Sequence, residues 1–465
     1  MPPSNEHSGS APPSFRSEAE MLAVVVGRAE HTVASRRRKR RMLAAGVAAL
    51  VAVVLGTSVA LALRDDGEDT GPADRVEAED PVVDVVDEVR PEGWLPLSDS
   101  PLSPRVNAVS AWSGEELLVW GGEGYTTDTC RPTSTDNLLC GEPARYGGAA
   151  YDPSIDTWRT LAESPLTTEE GSRFHYEGVW TGSELVIWGG PEGQGAAYDP
   201  AADSWRAIAD AGWGGRMGFS IGWTGEEVIV AGGSERRDPS ARGLPRGQPT
   251  LAYDPELDRW RELPPLKVTS NWMVMVVSDR VVVAQGDDTS SELAVELFYD
   301  SESASWMPAG GPPLSTVRAG VGLGPEKILI AGSELRTDPE TGEVDWPAVG
   351  RLVSYDPFDS DGTWTDLGDV PGAREVDRLE RIDETTAFAL SGSSMDQGGE
   401  QVIWVVDAAG TWSELPYSGL DDVEGAAVAW TGTELLVWGG GVLGGYGYDP
   451  RDVGARYSPG PGGFG

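Results

Sequence analysis

The sequence predicts an all-β protein in which four-stranded units repeat around a β-propeller. Three observations favour this fold. The 465 residues include 61 Gly, 34 Pro and 18 Trp, a composition rich in turns and in large side chains that need a core. Seven twelve-residue windows align with each other without gaps, and a short turn followed by Trp recurs after most of them. Four strands in each repeat of about 40 to 60 residues is typical of propellers.

Each aligned window predicts the end of one strand, a tight polar turn and a second strand of β-branched and aromatic residues. In the first window, Ser113-Gly114 forms the turn and Gly121-Gly122 follows the second strand. The windows begin at Ala111, Val179, Gly222, Val276, Gly322, Arg381 and Ala429.

The second motif predicts strands three and four of each unit. In Tyr151-Asp152-Pro153, the aspartate can bond to backbone amides of the turn and the proline fixes φ, so the chain reverses before the next strand. The tryptophans of the fourth strands are Trp158, Trp205, Trp260, Trp306, Trp364 and Trp412.

The last unit has a third strand near Tyr457 but no Trp-bearing fourth strand after it. Gly93-Trp94-Leu95, far away in sequence, matches Thr157-Trp158-Arg159 of the first unit. We therefore expect residues 93–98 to complete the last unit and to close the ring, so that the propeller domain spans 93–460.

A double glycine after a hydrophobic strand, then Tyr, then Trp after a short turn, resembles the kelch repeat. The resemblance implies a seven-bladed kelch-type β-propeller in which the first strand of each blade lies innermost. Galactose oxidase has a similar propeller, but the copper site of that family uses two histidines, a tyrosine and a tyrosine crosslinked to cysteine. Here His175 is the only histidine after residue 63. The sequence therefore predicts a propeller without that copper site, with no metal and no cofactor.

Residues 42–63 contain no charged side chain and are long enough, at about 33 Å as a helix, to span a bilayer. A basic cluster at 36–41 precedes them and an acidic segment, 64–92, follows. The positive-inside rule predicts a single-pass cell-membrane protein with residues 1–41 in the cytoplasm and the propeller outside, on an acidic linker. A cleaved signal peptide is the alternative, since Ala60-Leu61-Ala62 resembles a cleavage site.

The formal net charge is −40, from 35 Lys and Arg against 75 Asp and Glu. A field of that sign repels phosphate backbones, so nucleic acid is excluded as a partner. Cys130 and Cys140 are the two cysteines of the chain, and both fall in the long connection after the second strand of the first repeat. In an extracytoplasmic loop they predict a disulfide, with metal binding by the two thiols as the alternative.

Arginine stands six residues before the start of the first three windows, at Arg105, Arg173 and Arg216. If these side chains converge at one side of the channel mouth, with His175 close to Arg173, they predict a binding site for a carboxylate or sulfate. The alternative is a structural one, in which each arginine pairs with groups of its own loops.

The absence of a recognisable catalytic set favours a noncatalytic recognition module that binds a protein or a cell-surface glycan through its long loops, 123–146, 234–248, 334–349 and 441–453. The alternative is an enzyme acting on glycans or sugar acids, in which the arginines hold the substrate and Glu177, Glu375 or Asp377 provides acid-base catalysis.

Overall fold

The computed structural model describes most of the predicted propeller domain. The described residues are 93–124, 131–132, 138–139, 147–166, 176–235, 249–264, 272–277, 281–286, 294–300, 305–308, 314–324, 327–337, 344–356, 364–391, 401–420, 423–444, 447–460 and 463–464. The predicted cytoplasmic segment 1–41, membrane span 42–63 and linker 64–92 lie outside them. Within the described part of the chain, no helix has the length and apolar character needed to cross a bilayer.

The described residues form an all-β propeller of seven four-stranded antiparallel sheets, numbered here after the repeat whose window they contain. Sheet 1 comprises β2 (Val109–Trp112), β3 (Leu117–Trp120), β6 (Gly148–Asp152) and β7 (Thr157–Thr160). Sheet 2 comprises β8 (Tyr176–Trp180), β9 (Leu185–Gly189), β10 (Gln194–Asp199) and β11 (Ser204–Ala207). Sheet 3 comprises β12 (Arg216–Trp223), β13 (Val228–Glu235), β14 (Thr250–Asp254) and β15 (Arg259–Leu263).

Sheet 4 comprises β16 (Trp272–Val277), β17 (Val281–Gly286), β18 (Ala294–Asp300) and β19 (Ser305–Pro308). Sheet 5 comprises β20 (Thr316–Gly324), β21 (Lys327–Thr337), β22 (Val344–Tyr355) and β23 (Trp364–Asp369). Sheet 6 comprises β24 (Arg378–Arg381), β25 (Thr386–Leu390), β26 (Ile403–Asp407) and β27 (Trp412–Glu414). Sheet 7 comprises β28 (Ala427–Trp430), β29 (Leu435–Trp438), β32 (Gly454–Ser458) and β1 (Gly93–Pro96).

The first strands of the sheets contact one another in a closed cycle. The order of contact is β2, β8, β12, β16, β20, β24, β28 and back to β2. The second strands are almost completely buried, as in Leu117–Trp120 and Leu435–Trp438, whereas a fourth strand such as Thr157–Thr160 has only exposed and half-buried positions. Each sheet therefore buries its faces against its two neighbours, which is why a single unit could not be stable alone.

The ring is closed by the strand at the start of the domain. β1 pairs with β32, and Trp94 lies opposite Tyr457 just as Trp158 lies opposite Tyr151 in sheet 1. The Trp94 indole donates a hydrogen bond to the Pro416 carbonyl of the preceding sheet. The closing strand over 93–98 predicted from the sequence thus has its counterpart in the structure.

Three of the four predicted long loops contain regular structure. Residues 334–349 are largely a continuation of sheet 5, because β21 and β22 stay paired as far as Thr337 and Val344, so describing this segment as a loop was wrong. A two-stranded hairpin, β30 (Gly441–Gly444) and β31 (Gly447–Pro450), occupies most of 441–453. β4 (Arg131–Pro132) and β5 (Leu138–Leu139) form another hairpin within 123–146.

Candidate functional site

Arg105 binds main-chain carbonyls at the two ends of the long connection in sheet 1. Its side chain is buried, with the residue 3% exposed, and Nη1 donates to the Gly121 and Gly147 carbonyls at 2.8 and 3.0 Å. Gly121 directly follows β3 and Gly147 directly precedes β6. The guanidinium therefore holds together the two ends of a connection that departs from the sheet and returns to it.

Arg216 makes the corresponding contact in sheet 3. The residue is fully buried, and its Nη1 donates to the Gly232 carbonyl at 3.2 Å and to the Pro249 carbonyl at 2.8 Å. The guanidinium carbon also lies 5.8 Å from the ring centre of Trp188 in sheet 2, a cation–π distance. We name these two arginines and the four carbonyls they bind the loop-base site, because each arginine joins the base of a predicted recognition loop.

The glycine pairs are needed for the chain to turn at these bases. Gly122 has φ of +89°, and a side chain there would place its Cβ 2.8 Å from the Val106 carbonyl oxygen. Gly440, its counterpart in sheet 7, has φ of +85°, and a Cβ would approach the Val423 Cα to 2.7 Å. Both the left-handed backbone and the close main-chain contact exclude a larger residue.

The main chain of Arg105 connects sheet 1 to the hairpin of sheet 7. Its amide donates to the Arg451 carbonyl at 3.2 Å, and its carbonyl accepts from the Gly440 amide at 3.0 Å. Arg451 and Gly440 also bond to each other at the base of the β30–β31 hairpin. Arg105 thus orders the bases of two neighbouring loops, one through its side chain and one through its backbone.

The remaining predicted site residues lie outside the described residues. These are Arg173 and His175 of the candidate anion site, and Cys130 and Cys140 of the predicted disulfide. The neighbours of the two cysteines, Arg131 and Leu139, pair with each other in the β4–β5 hairpin. The disulfide and the shared anion site therefore stay predictions.

Of the three acidic residues proposed for catalysis, Glu375 takes part in a contact between sheets. Glu375 accepts a hydrogen bond from Arg318 at 2.8 Å, across the junction of sheets 5 and 6. The Asp377 amide bonds to the Leu390 carbonyl, and its side chain, like that of Glu177, is half-buried. Among the described residues, no group of three or more His, Cys, Asp or Glu side chains is arranged to hold a metal ion.

Sequence analysis did not single out Glu380, which faces the junction of sheets 6 and 7. Its carboxylate lies 3.3 Å from Arg378, which also donates to the Val428 carbonyl of β28. Burial raises the pKa of Glu380, although Arg378 and the Trp430 amide act in the opposite direction. The one available signal was the alternation of Arg378 and Glu380 in a first strand, which places both side chains on the same face.

Sheets 1 to 3 are joined at their outer strands by a repeated polar network, named here the rim clasp. In the clasp between sheets 1 and 2, Arg159 binds both carboxylate oxygens of Glu116 and reaches across to the Tyr198 hydroxyl at 3.0 Å. Tyr198 in turn donates to Asp203 at 2.6 Å. Arg206, Glu184, Tyr253 and Asp258 repeat this arrangement between sheets 2 and 3.

The turn aspartates of the clasp are held in their ionised form. The Tyr198 hydroxyl and the Ala162 amide lower the pKa of Asp203, and the Ala209 amide and Tyr253 hydroxyl lower that of Asp258. Burial raises the pKa of Tyr253 to about 12, with Asp258 acting in the same direction. The tyrosines of the Tyr-Asp-Pro motif are therefore explained, in sheets 2 and 3, by contacts that hold the ring together.

Comparison with models of known protein families found no match, and comparison with curated proteins found none either.

Proposed function

We propose that this protein is a noncatalytic recognition module: a seven-bladed, kelch-type propeller that is anchored in the cell membrane and binds a protein or a cell-surface glycan outside the cell. The kelch assignment is supported by the glycine pairs, tyrosines and tryptophans, which take equivalent places in sheets 1 to 3. The anchor is supported by the uncharged segment 42–63 and the basic cluster before it.

The observation that carries the proposal is the loop-base site. The side chains of Arg105 and Arg216 donate hydrogen bonds to main-chain carbonyls. The long connections of sheets 1 and 3 therefore start and end at fixed points of the ring. Loops placed by a rigid scaffold are the usual location of binding residues. In this proposal Arg105 and Arg216 position the loops, whereas direct contact with an anionic ligand belongs to Arg173 and His175.

The charge of the chain favours a basic partner surface when the ligand is a protein. With 75 acidic against 35 basic residues, the chain attracts positive surfaces and repels phosphate-rich polymers. Nucleic acid is therefore not among the proposed partners.

Site-specific photocrosslinking in the membranes of the native host tests the recognition role. A photoreactive residue replacing Glu123, beside the base of the sheet 1 loop, is compared with one replacing Leu257, an exposed residue of a rim turn that is 58% accessible. We expect a discrete adduct from position 123 and none from position 257. Adducts from position 257 alone, or none from 123, would contradict the proposal.

Membrane anchoring and catalysis are tested separately. Carbonate-washed membranes should retain the full-length chain, and recovery of a soluble form that begins near Leu63 would show a cleaved signal peptide instead. Incubation with a panel of polysaccharides and sugar acids should give no turnover; turnover that is lost in Glu375→Gln would replace the recognition role with the enzymatic one.

A further inference from the structure

A cleft opens on the outer rim of the ring where sheets 7 and 1 meet, and we name it the 7/1 cleft. Its volume is about 420 Å³, within the range of about 300 to 1,000 Å³ that is usual for small-ligand sites. One wall is the segment that follows β1, and the other is the turn and fourth strand of sheet 1. The lining includes Ser98, Asp99, Asp156, Trp158 and Thr160. An indole ring, carboxyl groups and hydroxyl groups therefore line one concave surface.

Asp156 is an ionised, half-buried residue in the wall of the cleft. Its Oδ1 accepts hydrogen bonds from the Tyr151 hydroxyl at 2.7 Å and from the Ser98 amide at 3.0 Å. Burial raises the pKa of Asp156, but these hydrogen bonds and the charge of Arg456 outweigh burial and lower the pKa below its ordinary value. The Ser98 hydroxyl oxygen is buried and makes no hydrogen bond of normal geometry within the described part of the chain. The cleft therefore contains a charged acceptor and an unsatisfied hydroxyl group.

The counterparts of Asp156 in the next two sheets each have a cation beside them. Asp203 and Asp258 lie 3.2 and 3.8 Å from arginine nitrogens of the preceding sheet. Among the described residues, none forms such an ion pair with Asp156, because the arginine of this junction, Arg456, donates to the Pro153 carbonyl instead. The cleft therefore exposes the hydrogen-bonded carboxylate of the other junctions without its ion-pair partner.

The lining of the cleft suits the side chain of arginine. A guanidinium group is planar, stacks on aromatic rings and donates to carboxylates through several N–H groups at once. Both interactions occur elsewhere in this protein, where Arg216 lies 5.8 Å from the ring centre of Trp188 and Arg159 binds both carboxylate oxygens of Glu116. Asp99 of the lining is exposed, and the net charge of −40 favours the approach of a cation.

We propose that the 7/1 cleft binds an arginine side chain presented by a basic partner polypeptide. Asp99 and Asp156 accept hydrogen bonds from its guanidinium group, and the Trp158 ring stacks against it. The lining of the cleft includes no residue of the long loops or of the loop-base site. Binding in the cleft therefore does not depend on recognition by those loops, and a different experiment tests it.

The test measures binding of the peptide acetyl-Gly-Arg-Gly-amide to the full-length protein in detergent by saturation-transfer difference NMR. The salt concentration is about 150 mM, at which distant charges are screened. We expect saturable binding with a dissociation constant of about 1 mM, a modest affinity that suits one side chain in an open cleft. The same peptide with citrulline, which has nearly the shape of arginine but no charge, should not bind saturably. Equal binding of the two peptides, or no saturable binding of the arginine peptide up to about 10 mM, would overturn the proposal.

Two pairs of variants at exposed positions locate the binding. Asp99→Asn should weaken it about threefold to fivefold, the size expected for one exposed ion pair, whereas Glu163→Gln, at the corresponding position after the fourth strand of sheet 1, should leave it unchanged. Thr160→Trp fills the cleft and should abolish binding, whereas Ala207→Trp, at the corresponding position in sheet 2, should not. Equal binding to all four variants would overturn the proposal, because the peptide would then be held by the general negative charge of the protein.

Discussion

The junctions between sheets 1, 2 and 3 differ from the junction between sheets 6 and 7 in the kind of contact that joins them. The former use the rim clasp, a network of ionised side chains and tyrosine hydroxyls. The junction between sheets 6 and 7 uses the edge-on and tilted aromatic contacts around Phe464 and, in the first strand of sheet 6, the Arg378–Glu380 pair. Polar contacts of the repeated turns therefore join sheets 1 to 3, whereas aromatic packing joins sheets 6 and 7.

The junction between sheets 7 and 1 shows how the clasp is kept when its usual arginine position is lost. Arg159 lies opposite Ala150 in sheet 1, but in sheet 7 the corresponding pair is Leu95 opposite Arg456. The arginine has exchanged strands, from the fourth to the third. Arg456 still donates across the junction, to the Pro153 carbonyl at 3.0 Å, and lies 4.0 Å from Glu434.

The largest expected effect comes from removing the closing strand. A chain starting at residue 93 keeps β1, whereas one starting at residue 102 lacks β1 and the Trp94 bond to Pro416. We expect the shorter chain to lose at least about 3 kcal/mol of unfolding free energy, because it lacks a whole strand together with the half-buried Trp94 and the buried Leu97. Equal midpoints in urea unfolding of the two proteins would show that β1 does not close the ring in solution.

A smaller loss is expected at the loop-base site. Arg216→Met leaves the Gly232 and Pro249 carbonyls without their donor, and we expect a cost of about 2 to 4 kcal/mol for these buried, charge-assisted bonds. Arg259→Met is the matched control, since the Arg259 side chain is 69% exposed, and should change stability by about 0.5 kcal/mol or less. Similar losses in both variants would mean that the buried contact does not fix the loop.

The fold could be predicted from the sequence because certain residues of the repeats are required by the backbone conformation of their turns. Gly121-Gly122 marks a turn with left-handed backbone, and Asp156 and Asp203 mark turns in which an aspartate adopts positive φ. The role of the loop-base site was harder to predict from the sequence. The pattern that aligned Arg105 with Arg216 correctly indicated a shared role, but a buried arginine facing carbonyls and an exposed one facing a ligand have the same spacing in sequence.

Two features could not be predicted because they depend on distant residues. The exchange between Arg159 and Arg456 becomes visible once β1 is known to pair with β32 in that register. The packing of Phe464 on Phe388 joins residues from different sheets without any periodic signal between them. The extension of β21 and β22 escaped prediction because Asp338, Pro339 and Gly342 indicate a turn without indicating where the strands on either side end.

The rim clasp should make a moderate contribution at each junction. Tyr198→Phe removes the hydroxyl that donates to Asp203 and accepts from Arg159, and we expect a loss of about 1 to 2 kcal/mol. Leu257→Ala, at an exposed side chain of a rim turn, should change the unfolding free energy by about 0.5 kcal/mol or less. If Tyr198→Phe is as stable as the parent protein in urea, the clasp is not a determinant of stability.

The smallest expected effect is a difference between the two kinds of junction in how their contribution to stability depends on pH. Burial raises the pKa of Glu380 above 4.5, so its contribution to stability is fully present below that value and is lost as pH rises through the folded-state pKa. The pKa of Asp258 is lowered below 3.8, so its contribution is present above that value and is lost as pH falls through the folded-state pKa. Lowering the pH should therefore increase the contribution of Glu380 to the free energy of unfolding and decrease that of Asp258.

Thermal midpoints of the parent, Glu380→Gln and Asp258→Asn proteins measure this difference between about pH 7.5 and about pH 3, a range that includes the ordinary carboxyl pKa values of about 4. Relative to Glu380→Gln, the parent should gain stability as pH falls from 7.5 towards 4.5. Relative to Asp258→Asn, it should keep a constant advantage down to about pH 4 and lose it below. A parallel response of the two variants would mean that the carboxylate between sheets 6 and 7 is solvated like those at the rim, and that the two junctions do not differ electrostatically.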